Sequence, residues 1–470
     1  MKRGNACGEK GRQDMALNTG TQITHCGEVM STKGIGMQKT LFPDCWLRIS
    51  FAAQKENIVF NNLLCHFNYE TLSEAFDNLK ANKAKGVDGV SKKIYSKNLK
   101  ENLMNLIERI HNGSYKPQNK REVLIPKTDG KKMRPIAISC FEDKLVEWVT
   151  GKILECVYEP IFIRNSFGFR PNKSADGAIK AVYYSLKNNK RTNVVEIDFA
   201  NFFNSIPHRK LIKIISKRVS DNRFKGLIGR FVKVGILEES GKLVIPEDGT
   251  PQGSIMSPIL ANIYLHYVLD EWFIGNYASY NNIIVRYADD AVFFFKREET
   301  ANNFVKDLFN RVQEFGLNLN KDKTKIVDFD KDANNSFNFL GFTFYWTRKG
   351  NLKKKVLKLK TQKEILIKKI QEFYLWIKKE RSIYSTKELW EKAKRKIIGH
   401  YNYYGYWMNR SKLYHYYNEA IKSLFKWLNR RSQKPSYNQE SFKRKLEFDP
   451  IPTPPEPLKL KQLGWCPYVI

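Results

Sequence analysis

Asn282-Ile283-Ile284-Val285-Arg286-Tyr287-Ala288-Asp289-Asp290-Ala291-Val292-Phe293-Phe294-Phe295 reads as a β-hairpin with two adjacent carboxylates at its tip. Apolar, β-favouring runs flank a short polar turn, the pattern of two paired strands. Aspartate is common in turns for purely conformational reasons. The hairpin alone therefore does not separate an ordinary turn from a metal site. A second β-rich run, Val194-Val195-Glu196-Ile197-Asp198-Phe199, adds a third carboxylate at a strand end. Three carboxylates converging at strand ends suit two Mg²⁺ ions, and two such ions suit phosphoryl transfer.

Around this pair of runs the chain has 470 residues, enough for two to four domains. At 42% hydrophobic and 13% aromatic it can bury a large core. Its net charge is +33, and a chain this basic expects a polyanionic partner. The excess is clustered: residues 348–434 hold 25 Lys and Arg against 6 Glu and no Asp. Seven cysteines without a C-x-x-C pair point to reduced thiols in a cytosolic protein rather than to zinc or a disulfide framework. Lys2 and Arg3 are not followed by an apolar run, which speaks against a secretory signal. No run of eighteen apolar residues is present, so no membrane span is expected.

The organisation follows from periodicity and punctuation. Residues 1–36 carry seven glycines and no aromatic and read as a disordered extension. Residues 37–114 read as mostly helical, with Leu72, Ala75, Phe76 and Leu79 at helical spacing and a further helix over 98–111. Residues 115–345 alternate short β-rich runs, helices and Gly/Pro turns, an α+β pattern. Residues 346–434 read as three basic helices. Their apolar faces are Ile367, Ile370, Tyr374 and Ile377, then Leu389, Ala393, Ile397 and Tyr401, then Leu413, Tyr417, Ile421, Leu424 and Leu428. Residues 435–470, Pro-rich over 449–457, read as an extended tail.

Further segments carry candidate chemistry. Asp198 leads into an aromatic turn that can offer a metal both a carboxylate and a backbone carbonyl. Phe203, five residues on, is placed to press on a nucleotide sugar, or is simply a core ring. Ile125 to Ile136 reads as a basic hairpin around Asp129-Gly130; Arg134 suits forked phosphate contacts. Thr250-Pro251-Gln252-Gly253 is a loop where glycine permits close backbone approach, leading into a helix over 258–270. Lys323-Thr324 offers a lysine for a leaving pyrophosphate, and Phe339-Leu340-Gly341-Phe342 is a short apolar turn.

In order, Gly86-Val87-Asp88-Gly89, Ile125-Pro126-Lys127, Arg134-Pro135-Ile136, Ser166-Phe167-Gly168-Phe169-Arg170-Pro171 and Asp198 with Phe202-Phe203 are followed by residues 250–258, 287–290, 323–324 and 339–342. This ordered set resembles the reverse transcriptases encoded by bacterial group II introns, over roughly residues 38–434. The resemblance implies an α+β right-hand polymerase of fingers, palm and thumb, with a helical thumb and maturase domain at 346–434. It implies an RNA-directed DNA polymerase that also assists intron splicing and retrohoming, located in the bacterial cytoplasm. Asp198, Asp289 and Asp290, with the carbonyl of Phe199, match the ligands of two Mg²⁺ ions. Lys127, Arg134, Phe199, Phe203, Gln252 and Lys323 match dNTP contacts, Phe203 being the gate against a 2′-hydroxyl. Tyr401, Tyr403, Tyr404, Arg430 and Arg431 are the expected RNA contacts. The implied partners are group II intron RNA, an RNA template with its DNA primer, target DNA and dNTPs. Ser254 stands where a second glycine is frequent, and the cysteine pairs of an HNH endonuclease are missing. Two other readings stay open: a splicing maturase that no longer polymerises, and a reverse transcriptase domesticated for phage defence or a CRISPR locus.

Overall fold

The computed structural model describes residues 44–456 and Lys461, apart from 56, 127–132, 188–189, 279–280, 333, 349–354 and 434–435. The readings of residues 1–36, of Lys127 and of the Asp129-Gly130 turn lie outside the described residues. The chain divides into two compact units. The first combines the described residues up to Ile161 with His208–Glu247 and Pro251–Met256; the second combines Phe162–Pro207, Asp248–Thr250 and the chain from Ser257 onward.

In the first unit, β1 (Lys120–Pro126) and β2 (Met133–Ile138) form the expected antiparallel hairpin, with Ile125 opposite Arg134. The next strand in the chain, β3 (Asn193–Ile197), belongs to the second unit. β4 (Ile236–Leu237) adds to β1 in parallel and β5 (Leu243–Val244) closes the first unit's sheet in the order β2-β1-β4-β5. Helices Tyr69–Asn78 and Leu99–His111 pack their apolar stripes inward through Leu72, Ala75 and Phe76, and Leu103, Leu106 and Ile110. Asn68 and Thr71 start the former with a reciprocal capping box. The helix Phe141–Tyr158 is buried on most sides, and three polar side chains, Asp143, Glu147 and Thr150, go inside with it.

Glu147 explains how a charge survives there. Its Oε1 accepts from Lys120 Nζ at 2.6 Å and from Ser139 Oγ at 2.8 Å, and its Oε2 accepts from the Ile255 N–H at 2.8 Å. Both oxygens that burial strips of water find donors, the condition under which a buried ion pair is tolerated. The bond to Ile255 pins the loop carrying Gln252. Gly253 in that loop has φ +105°, and a Cβ on it would sit 2.6 Å from Ile136 Cγ2 and 2.8 Å from the Ala137 carbonyl oxygen.

In the second unit, β3, β6 (Ile283–Tyr287), β7 (Asp290–Phe295) and β8 (Lys325–Asp328) form an antiparallel sheet in the order β6-β7-β3-β8. From Ala291 to Phe295 both faces of β7 are covered, so that run is continuously apolar rather than alternating. Phe293 and Phe295 pack on Phe304 of the helix Glu298–Glu314. Val292 and Phe294 join the core that includes the helix Ala175–Lys187. A second sheet holds β9 (Ser336–Phe339), β10 (Phe342–Arg348) and β11 (Lys355–Thr361). Leu340 and Gly341, with φ +46° and +80°, make the two-residue turn between β9 and β10.

The helices Lys363–Glu380, Thr386–Tyr404 and Arg410–Leu428 follow. Ser385 and Glu388 cap the middle one reciprocally, an S-x-x-E capping box. Three sequence expectations need correction. The helical part does not begin at 346, because β10 and β11 pair with one another from Phe342 opposite Thr361 to Arg348 opposite Lys355. The inward face of the first helix is Leu366, Phe373 and Ile377, whereas Ile367 is exposed. The tail is not wholly extended, because Gln439–Phe448 is a helix whose Phe442 packs on Trp390.

Candidate active site

The register of the second unit's main sheet brings the carboxylates together. Ile197 pairs with Ala291, and Tyr287 with Asp290. Asp198, one residue past the end of β3, therefore lies opposite Asp290, one residue before Ala291. Side chains directly opposite in an antiparallel pair stand about 5 Å apart at Cβ. Asp289 follows Ala288 in the connecting turn. Burial, then the charge of Asp289, then that of Asp198 push the Asp290 carboxyl up to about 6, against the opposing pull of Lys323. The outer surface of Asp290 reaches solvent, yet its carboxyl is crowded by protein and by like charge, so the upward direction stands on geometry.

Lys323 is stitched to this corner by backbone. The Asn320 N–H donates to the Asp198 carbonyl at 2.7 Å and the Ala200 N–H to the Asn318 carbonyl at 2.8 Å, while the Lys323 N–H closes the turn onto Asn320. Its ammonium then reaches Asp198 Oδ2 at 3.1 Å, with the lysine 64% exposed. Phe199 is buried and bridges Leu319. Phe203 is half-buried, and its carbonyl accepts from the Thr250 N–H at 2.7 Å.

The donor set fits Mg²⁺. It consists of carboxylate oxygens with no histidine or cysteine, the preference of a hard cation. A cation already sits against Asp198, and the like charges around Asp290 outweigh the pull of that same lysine. Among the described residues no three His, Cys, Asp or Glu side chains enclose a metal position by themselves. Mg²⁺ commonly uses one or two carboxylates and completes its shell with water and substrate phosphates, so an open arrangement suits it.

Behind the carboxylates lies a buried clamp that the sequence reading misses. Arg286 donates from Nε and Nη2 to the two oxygens of Asp270, and from Nη1 to Asn262 Oδ1 and the Ala288 carbonyl, both at 3.0 Å. Asn262 Nδ2 in turn donates to the Gly168 carbonyl at 2.7 Å. Ala288 has φ +57°, a conformation uncommon for a residue with a side chain. A Cβ on Gly168 would collide with the Ala288 nitrogen. These contacts hold the turn from beneath. Asp270 ends a π-helical segment, His266–Asp270, between the helices Ser257–Leu265 and Glu271–Tyr277. The only sequence signal is an arginine inside an otherwise apolar strand.

Arg134 and Gln252 belong to the first unit; Arg134 is exposed, and the Gln252 carbonyl accepts from the Ala137 N–H at 2.7 Å. The expected RNA contacts divide. Tyr401 and Tyr404 are buried core rings, Tyr401 donating its hydroxyl to the Pro452 carbonyl, so neither offers a face for stacking. Tyr403 is 39% exposed, stacks on Phe342 and donates to the Leu340 carbonyl. Arg430 is exposed beside Trp427, whereas the half-buried Arg431 donates to the Tyr384 carbonyl at 2.9 Å, a structural anchor.

A family model described as reverse transcriptase (RNA-dependent DNA polymerase) matches residues 125–344. Protein YkfC of Escherichia coli (strain K12) is 32% identical over 290 residues, covering 54% of this chain and 74% of that protein. The group II intron-encoded protein LtrA of Lactococcus lactis is 38% identical over 192 residues, and a 91 kDa protein in the cob intron of Schizosaccharomyces pombe is 45% identical over 159. Those matches cover 41% and 34% of this chain, but only 32% and 19% of the respective relatives. The chain belongs to the reverse transcriptases, RNA-directed DNA polymerases, and among them to the group II intron-encoded kind. Among the described residues no helix is long and apolar enough to cross a membrane.

Proposed function

We propose that the chain extends a DNA primer along an RNA template with two Mg²⁺ ions held by Asp198, Asp289 and Asp290, and that it binds group II intron RNA to assist splicing and retrohoming into target DNA. The observation that carries the polymerase half is the juxtaposition of Asp198 with Asp290 by strand register, which leaves Asp290 short of positive charge. In a right-hand layout the β1–β2 hairpin belongs to the fingers, the β6-β7-β3-β8 sheet to the palm, and the helices over 363–428 to the thumb and maturase region.

Bound Mg²⁺ would supply acidification of the primer 3′-hydroxyl and charge neutralisation on the departing pyrophosphate. The chain's own groups do the positioning. Asp198, Asp289, Asp290 and the Phe199 carbonyl would hold the metals. Lys323, exposed and paired with Asp198, would be in reach of the substrate phosphates. Lys127, Arg134 and Gln252 contact the incoming dNTP. Phe203 rests against its sugar and rejects a 2′-hydroxyl. Intron RNA is held by the basic surface over 348–434, with Tyr403 and Arg430 as contacts.

Primer extension by the full chain on a primed RNA template, with dNTPs and Mg²⁺, tests the reading. Asp289→Asn removes a ligand without changing core volume and should reduce incorporation by about a hundredfold or more, the scale of losing one electrostatic stabiliser of the transition state. Undiminished synthesis by that variant would remove the carboxylates from the mechanism.

A further inference from the structure

In the first unit a groove of about 830 Å³ lies along the helix Asn222–Val232, between the loop at 116–119 and β5. Gly226 and Gly229 face it one helical turn apart, and a Cβ added to either meets no atom within 4 Å. Glycine inside a helix costs about 1 kcal/mol relative to alanine. Neither glycine has a positive φ, and no neighbouring atom needs the space. Packing and backbone conformation thus leave both glycines unexplained, whereas close approach of something from outside explains them.

The lining says what approaches. Lys116, Lys225, Arg230 and Lys233 surround the groove, and no carboxylate lines it. None of the four cations makes an ion pair among the described residues. The acids of the neighbouring hairpin, Glu238 and Glu239, lie near Glu122 on β1 instead. Leu243 and Ile245 are 47% and 66% exposed at the rim, available to sugar and base edges.

We propose that this groove binds the sugar-phosphate backbone of an RNA strand, the bare helix face at Gly226 and Gly229 admitting the strand and the four cations neutralising its phosphates. Charge complementarity favours this occupant: every charged side chain lining the groove is cationic, in a chain of net charge +33. The proposal rests on the reading that the chain handles RNA, and it is independent of the three aspartates.

The test uses the full chain and a labelled single-stranded RNA of about 40 nucleotides and mixed sequence, with affinity measured across salt concentrations. Gly229→Leu fills the groove while improving helix propensity. It should weaken RNA binding about fivefold or more with an unchanged or higher melting temperature. The double variant Lys225→Gln/Arg230→Gln keeps the proposal testable should the leucine disturb the fold. Each phosphate contact contributes about 0.7 to the log–log salt slope for single strands, so this variant should flatten the slope by about 1.4. Unchanged affinity and slope in the double variant overturn the proposal. So does unchanged RNA affinity accompanied by lost binding of a polyglutamate peptide, which would make the groove a site for acidic protein segments. Primer extension on a short template separates the two readings: wild-type failure there sinks the polymerase assignment and leaves the groove result standing.

Discussion

Both oxygens of the Asp270 carboxylate are gripped by the Arg286 guanidinium, Nε at 2.8 Å and Nη2 at 2.6 Å, and neither side chain is exposed. The remaining guanidinium nitrogen reaches the Ala288 carbonyl, one residue before Asp289. The fork therefore couples the fold's interior to the placement of the carboxylates. Lysine keeps the charge but cannot make the paired contact. Arg286→Lys should cost about 1.5–3 kcal/mol, the scale of a lost hydrogen bond to a charged group, and should lower the melting temperature and primer extension together. A melting temperature within about 2 °C of wild type would show that the clamp carries little energy.

Sugar choice tests Phe203. Its ring is half-buried, and its backbone is fixed by the bond from Thr250. Phe203→Val opens space without altering that bond. The ratio of rNTP to dNTP incorporation should rise about tenfold or more, read by single-nucleotide extension, the scale on which a pocket's size discriminates small groups. An unchanged ratio would make Phe203 a core residue only.

Splicing and polymerisation should separate. Asp290→Asn leaves the basic surface intact, so cDNA synthesis should be lost while stimulation of intron splicing persists. Arg430→Gln should weaken intron RNA binding more than nucleotide addition on a short template. Arg431 is unsuitable for this comparison because its bond to the Tyr384 carbonyl ties the chain after the helix Arg410–Leu428 to the turn before the helix Thr386–Tyr404. Parallel loss of both activities in both variants would refute two separate surfaces.

His400 gives a pH prediction. Its ring is buried and stacked on Tyr416 at 3.7 Å, and its Nε2 has no partner among the described residues. Burial, aided by Lys369, lowers its pKa from 6.5 to about 4. Between those values the unfolded chain binds the proton and the folded chain does not. The folded state therefore loses stability as pH falls from about 6.5 to 4, by roughly 3 kcal/mol in all. His400→Phe keeps the stacking ring and removes the titration. Urea unfolding at about pH 7 and about pH 4.5 should show a smaller pH penalty in the variant. An equal penalty in both proteins would place the proton elsewhere.

Much of the site is legible in the sequence because its information is local. Apolar runs, a polar turn and a strand ending in Asp198 specify two strands whose carboxylates come at their ends, and the pairing of β3 with β7 does bring Asp198 opposite Asp290. The short apolar turn at Leu340-Gly341 is equally visible as a local pattern. The strand β11 is not. Its alternating lysines look like a solvated basic run until Leu357 and Leu359 are seen buried against β10. Helical spacing marks a stripe on the helix Lys363–Glu380 but not which edge of it faces inward, so periodicity puts Ile367 inside although it is exposed.

The sequence by itself determined which residue types stand at strand ends, which stretches are helical and how much positive charge the chain carries, because each depends on composition or on neighbours a few residues away. Only the tertiary structure decided that Arg286 closes on Asp270, that Glu147 meets Lys120 and the Ile255 N–H, and that Tyr401 and Tyr404 are core while Tyr403 stays accessible. The three pairs made by Arg286 and Glu147 lie 16, 27 and 108 residues apart. A buried charge is tolerable only where distant segments supply every missing hydrogen bond at once, and no local pattern records which segments those are.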